Sequence, residues 1–231
     1  MSGIVKGAQG RSWRPPAFRP NTTLLSWEGQ RRPLSFVRGV PFPQESRLAP
    51  SYKSAFFVDS FAVSLPLRKP HEVPLDALAQ AFFCEPPAWF SLLMRIRDEI
   101  MAIFGVKRST EIQAAAEEKG IDTIGVFPVR SHTEDEIIIG EIDSHLDFQT
   151  SILIRPEDRH DGIEHAQNVT KGEELVVTTV VHCHGLFGKI YIMIIRAFHV
   201  MIVRYSLARV PSRMQQIINR RSKLKQALRG I

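Results

Sequence analysis

The sequence of 231 residues holds only two cysteines, Cys84 and Cys183. Two thiols cannot form the disulfide framework on which many small secreted proteins depend. The first twenty residues also lack an apolar core segment of the kind that export signals contain. We therefore expect a reduced, cytoplasmic protein with one main folded domain, for which the length and a 44% hydrophobic content are sufficient.

Glycine-rich nucleotide motifs are missing as well. No predicted strand is followed by a GxGxxG fingerprint or a Walker loop, so no cofactor is predicted. The apolar run at 190–203 spans fourteen residues and has Arg196 and His199 at its middle. A membrane span needs about twenty largely uncharged residues. This run therefore predicts a helix of a globular fold.

Negative charge is scarce at both ends of the chain. Residues 1–50 hold eight Lys/Arg and two Asp/Glu, and residues 204–231 hold eight and none. The residues between them hold fourteen Lys/Arg and twenty-two Asp/Glu, so the excess of positive charge belongs to the two ends. With the lack of periodicity near the start, this predicts three parts. They are a disordered basic arm at 1–45, a folded domain at 46–210 and a basic tail at 211–231.

The longest apolar run, from Glu174 to Val210, changes its period halfway. Its first part, 175–181, is almost all β-branched, which is typical of a buried strand. After Gly188 the polar residues recur at spacings of seven, three and seven, which places them on one face of a helix. These polar residues are Lys189, Arg196, His199 and Ser206.

Patterns elsewhere complete an α+β order. Strands are predicted at 55–65, 123–130, 135–142 and 146–154, and helices at 75–84, 88–104 and 110–119. A polar stretch at 156–170 reads as a loop. The expected fold is a curved antiparallel sheet packed on a long C-terminal helix.

Three motifs carry a family resemblance: HLDF at 145–148, VVHCHGLFGKIY at 180–191 and RAFHVMIVR at 196–204. Over about residues 46–210 the chain resembles a mainly bacterial family, the domain of unknown function 2867. The resemblance implies a START-like, helix-grip fold of the polyketide-cyclase-like superfamily.

The same resemblance informs the choice of partners. Family members occur alone or behind an NAD(P)-binding domain similar to short-chain reductases, which implies a possible reductase partner in trans. That domain is absent here, so no cofactor is inherited from it. The chain also departs from the family at Ala197, where members often have proline.

Histidines are concentrated in the strongest stretches. His182 and His184 are two apart on a predicted strand and so point to one face, and His145 and Asp147 form a similar pair. Such a set could hold zinc or iron(II), but no spacing is diagnostic and we predict no metal. The alternative is that these histidines satisfy buried backbone groups or line the polar end of a cavity.

His199 lies three residues after Arg196 and shares its helical face. If that face looks outward, His199 is solvated. If it looks inward, His199 meets His182 or Asp147 across a groove, and we favour this arrangement. The predicted ligand-binding residues are His145, Asp147, His182, His184, Tyr191 and His199.

The leading functional hypothesis is binding of a small hydrophobic molecule, lipid or polyketide-like, between the sheet and the C-terminal helix. A solid core at that place is the alternative. An enzyme of cyclase or isomerase type that uses cavity histidines is less favoured, and no catalytic residue is assigned. A third hypothesis is a basic-tailed adaptor for a membrane surface or nucleic acid, in which a basic amphipathic helix at 211–231 contacts the membrane. The favoured interpretation of that tail is a solvated extension of the preceding helix. Nucleic acid is not expected as a partner, because the aromatic residues of the arm are scattered.

Overall fold

The computed structural model describes residues 35–66, 73–83, 86, 88–103, 120–143, 145–157 and 172–229, with a few single residues between 111 and 118. The strands bounded in these ranges are β1 (Val37–Gly39), β2 (Phe57–Leu65), β3 (Thr123–Ile124), β4 (Phe127–His132), β5 (Glu136–Ile142), β6 (Leu146–Pro156) and β7 (Glu173–Cys183). The helices are α1 (Leu75–Phe83), α2 (Ala88–Ile103) and α3 (Gly185–Arg229). Most of the predicted helix at 110–119 and most of the predicted loop at 156–170 lie outside the described residues.

The seven strands form one antiparallel sheet in the order β1-β2-β7-β6-β5-β4-β3. Together with the long C-terminal helix, this curved sheet confirms the predicted α+β class. The sheet begins earlier than the predicted domain boundary, because Val37 pairs with Val63 and the Ser35 amide donates to the Ala208 carbonyl at 3.1 Å. Residues 35–45, assigned above to the arm, therefore include a strand of the fold.

Strand β7 lies in the interior of the sheet, between β2 and β6, and is buried on both faces. Eight consecutive residues, 174–181, are buried, which agrees with the β-branched run in the sequence. The odd-numbered residues, such as Leu175 and Val177, face the helices, and the even-numbered ones face a second layer.

The helix side of the sheet is packed by α1 and by the second half of α3. Leu78 and Phe82 of α1 meet Leu207, Val210 and Met214 of α3 over strand residues that are fully or almost fully buried. The Arg213 guanidinium also donates to the Ala81 carbonyl at 2.5 Å. The predicted tail at 211–231 thus continues α3, and its first turn belongs to the core.

The other side of the sheet is covered by residues 40–55, here called the covering segment. It packs apolar side chains on Ile138 and Val180 and encloses Glu136, whose Oε1 accepts hydrogen bonds from Ser46 at 2.6 Å and Ser151 at 2.5 Å. These bonds satisfy a carboxylate that would be costly to bury unpaired.

A second buried carboxylate, Glu174, lies on the same side of the sheet. It accepts a hydrogen bond from Arg155 Nε at 2.8 Å and another from Arg38 of β1. Because removal of one partner would leave a charge buried and uncompensated, this pairing ties β1 to the centre of the sheet.

Helix α3 begins directly after β7 through a glycine corner. Gly185 has φ of +75°, a conformation that favours glycine. At Gly188 a Cβ atom would overlap the carbonyl oxygen of His145, so only glycine lets the helix approach the sheet this closely. The helix was predicted to start after Gly188, at Lys189, and it starts four residues earlier, at Gly185.

Candidate functional site

His199 is half-buried between α3 and the sheet, as the favoured inward orientation requires. Its carboxylate partner is Asp59 of β2, not Asp147. The imidazole Nε2 lies 3.1 Å from Asp59 Oδ2 and 3.4 Å from Oδ1, although hydrogen-bonding geometry is satisfied only at Oδ1. The ring also stands edge-on to Phe57, with centroids 5.7 Å apart.

His182 and Asp147 lie on the opposite side of the sheet from His199. They are direct partners in the β6–β7 register and so share a face, the one under the covering segment. Asp147 Oδ1 lies 2.9 Å from His184 Nε2, and His182 Nε2 lies 3.1 Å from Ser54 Oγ. The predicted proximity of these three residues is therefore found, but on the side of the sheet opposite His199.

His145 and Tyr191 form a third group, beneath the first turns of α3. The buried His145 ring contacts the rings of Phe187 and Tyr191, with centroids 5.7 and 5.6 Å apart. Its carbonyl accepts a hydrogen bond from the His184 amide at 2.8 Å. This group joins the start of the helix to the start of β6.

The six predicted site residues thus occupy three separate places. The physical reason is strand parity, because even-numbered β7 residues point away from the helix that carries His199. Among the described residues, no group of three His, Cys, Asp or Glu side chains could hold a metal ion. Burial raises the pKa of the nearby Cys183 thiol despite the opposing charge of Lys189, which disfavours the nucleophilic thiolate.

The solvent side of the first half of α3 is apolar. Leu186 is 72% exposed and Ile194 is 66% exposed. We call the exposed set the outer apolar face, and it consists of Leu186, Phe187, Ile190, Met193, Ile194, Phe198 and Met201. Spacings of three and four residues bring these side chains together along the helix.

The opposite side of the same helical segment is held on the sheet. Ile192 packs in a small cluster with Leu146 and Val181, and Val203 begins the main core. By length and composition alone α3 could cross a membrane. Its most apolar window has a mean hydropathy of 1.8, and only 17% of that window is buried.

Sequence reasoning identified the apolar helix but missed its outer apolar face. The signal was present, because the polar residues were confined to one narrow stripe and apolar residues filled the rest of the cylinder. A sheet covers only one side of a helix. An apolar arc wider than that side predicts exposed apolar surface.

The described residues also line a cavity of about 520 Å³. It lies at the opposite end of β6 from the start of α3, and its lining includes Arg47, Asp135, Arg155 and Glu173. The cavity thus has several charged side chains in its lining and is distant from the predicted ligand-binding residues.

Comparison with known proteins identifies the family of the chain. No curated protein and no solved structure matches it. One family model does match, over residues 51–206, a range that includes the three motifs quoted above. The chain belongs to the family described as Protein of unknown function (DUF2867).

Proposed function

We propose that the protein attaches to membrane surfaces through the outer apolar face of α3. The observation that carries this proposal is the exposure of seven large apolar side chains on one side of one helix. Contiguous apolar patches of this kind mark interaction sites, because isolated soluble proteins rarely expose them. A helix with one such side lies in the plane of the lipid interface.

The energetic argument is favourable. Burial of one such side chain contributes about 1.5–3 kcal/mol relative to full exposure. The seven side chains are about half exposed on average, so each gains only part of this free energy when it enters the acyl boundary. Together they still contribute a sum larger than the value for one fully buried side chain. This gain offsets the cost of association and requires no unfolding.

An interfacial position fits the packing of α3 better than a transmembrane one. Ile192, His199 and Val203 on its other side contact the sheet. A spanning helix would have to lose these contacts and expose the helix side of the sheet. With the sheet in place, only one side of α3 is available to lipid.

Sedimentation with phospholipid vesicles tests the proposal on the full chain. Ile194→Glu places a charge at the centre of the outer apolar face and should reduce vesicle binding at least tenfold. Gln216→Glu is the matched control, since Gln216 is an exposed residue of the same helix outside that face. Thermal melts of both variants should remain close to that of the unmodified protein.

Two results would contradict the proposal. One is vesicle binding by Ile194→Glu that equals binding by the unmodified chain. The other is a dimer in lipid-free solution that Ile194→Glu dissociates, because the face would then be the contact between two copies. Sedimentation velocity measures the second outcome directly.

Binding of a small hydrophobic ligand is the second candidate function. A row of partly buried rings on the helix side favours it, with Phe83 and Phe127 6.1 Å apart and Phe127 and Phe148 5.0 Å apart. The sheet-and-helix architecture also accords with the helix-grip superfamily that the sequence resembles. Native mass spectrometry of gently purified protein tests this candidate, and a lipid-sized adduct is the expected result.

A further inference from the structure

We infer that the membrane bound by α3 is anionic, and that Lys189 and Arg196 contact its headgroup phosphates. This inference rests on the proposed function, because it names the lipid class that the same helix takes. The first observation is the charge of α3, which contains ten Lys/Arg and no Asp/Glu. A helix of this composition has no acidic side chain of its own to neutralise its cations.

Among the described residues of α3, three of these cations make contacts within the fold. Arg204 donates to the Val37 carbonyl at 3.2 Å and stacks on Phe61, and Arg209 donates to the Tyr205 hydroxyl at 2.6 Å. Arg213 binds the Ala81 carbonyl. These three arginines serve the structure.

Lys189 and Arg196 differ from them in position. They lie seven residues apart, which is two turns or about 10.5 Å along the helix, and therefore on the same border of the outer apolar face. Met193 lies between them on that border. Both cations are exposed, so their flexible stems can follow the apolar surface while their charged ends reach phosphate.

Phe56, the residue directly before β2, lies next to the same border of the outer apolar face. The Lys189 ammonium lies 5.9 Å from the centre of the Phe56 ring, and this ring is itself 43% exposed. An exposed aromatic ring beside a cation is the combination that favours the boundary between acyl chains and headgroups. Asp59, a carboxylate on the helix side of the sheet, is in contact with His199.

The second half of α3 adds exposed cations at Arg220, Arg221 and Lys223. Exposed residues around them are polar, including Gln215 and Asn219. Among the described residues, this part of the helix therefore supplies charge without an exposed large apolar side chain. Its attraction to anionic lipid adds to that of Lys189 and Arg196.

The test compares vesicles of phosphatidylcholine with vesicles in which part of that lipid is replaced by phosphatidylglycerol. The full chain should bind the anionic vesicles at least tenfold more tightly, and added salt should reduce the difference. Combined Lys189→Gln and Arg196→Gln should lower binding to anionic vesicles by roughly tenfold to thirtyfold. Binding to neutral vesicles should change little.

Lys53→Gln is the matched control for Lys189→Gln. Lys53 is an exposed lysine of the covering segment, on the side of the sheet away from α3. Its removal changes net charge by the same amount and should leave vesicle binding unaltered. An equal loss in the two variants would overturn the assignment to Lys189 and leave only a net-charge effect.

The remaining outcomes separate this inference from the proposed function. Equal binding to neutral and anionic vesicles would overturn the inference and leave membrane attachment intact. Failure to bind either vesicle would contradict membrane attachment itself. Binding of a short DNA duplex by the protein, at equal strength in the unmodified chain and in Ile194→Glu, would also overturn the inference. The cations would then be assigned to nucleic acid.

Discussion

The two halves of α3 share one helix and differ in what surrounds them. In the second half, Leu207, Val210 and Met214 are buried in the core, and the exposed residues that the structure describes there are polar. In the first half, a few residues such as Ile192 contact the sheet and the exposed residues are apolar. This difference shows that an apolar helix sequence does not by itself indicate burial in the protein core. It indicates contact with an apolar medium, and the core is only one such medium.

The largest predicted effect is on the free energy of unfolding, and it compares the same substitution, leucine to alanine, in the two halves of α3. Leu207→Ala empties a fully buried position and should lower the free energy of unfolding by about 2–5 kcal/mol. Leu186→Ala, in the first half, should change it by no more than about 0.5 kcal/mol. Urea unfolding measures both. Similar losses in the two variants would remove the distinction between the halves.

Gly188 tests how the first half is seated on the sheet. Gly188→Ala puts a methyl group against the His145 carbonyl and should cost about 1–3 kcal/mol of stability. Gly39→Ala is the control, because a Cβ at that strand position meets no atom within 4 Å. If thermal melts of the two variants coincide, the close approach of helix and sheet is not as described.

His199→Leu tests the polar contact of the first half with β2. Loss of the imidazole leaves the Asp59 carboxylate without this partner and should cost about 1 kcal/mol or slightly more. His182→Leu should cost about 0.5 kcal/mol or less, since its contact is with the exposed Ser54. Because the two histidines lie on opposite sides of the sheet, their effects should add. A clear coupling energy in the double variant would contradict this placement.

The smallest effect concerns acid stability away from α3. Burial alone would raise the pKa of Glu45, but the hydrogen bond and charge of Arg155 outweigh it and lower that pKa below 4.5. A carboxyl whose pKa is lower in the folded state contributes stability above its unfolded pKa, and this contribution is lost as pH falls through the folded value. Because Glu45 is largely exposed, the contribution is about 0.5 kcal/mol or less. Glu45→Gln should remove it, so the stability difference between the two proteins should be seen at pH 7 and vanish in strong acid.

Much of the fold could be predicted from the sequence. The periodicity of apolar residues and the β-branched runs predicted β2, β5, β6 and β7 to within about two residues of their observed ends. The short β1 was missed because three residues between prolines show no period. It forms by pairing with β2, and that long-range contact leaves no local signal.

The candidate site was less predictable. Local spacing correctly grouped His182 with His184, and the inward orientation favoured for His199 agrees with its half-buried position. Which carboxylate each histidine meets depends on the register of β6 against β7 and on the side from which α3 approaches. Asp59 has no motif that distinguishes it from other strand residues, so only the assembled sheet identifies it as the partner of His199.

The interior position of β7 has a consequence for hydrogen exchange and for mechanical load. This strand is hydrogen-bonded along both edges and covered on both faces, so its amide protons can exchange only when the whole domain opens. α3 follows it after a single residue. A pulling force on the helix would therefore act on the strand that is hardest to extract. The domain would resist as one cooperative unit, while the amides of the outermost turns of α3 exchange freely.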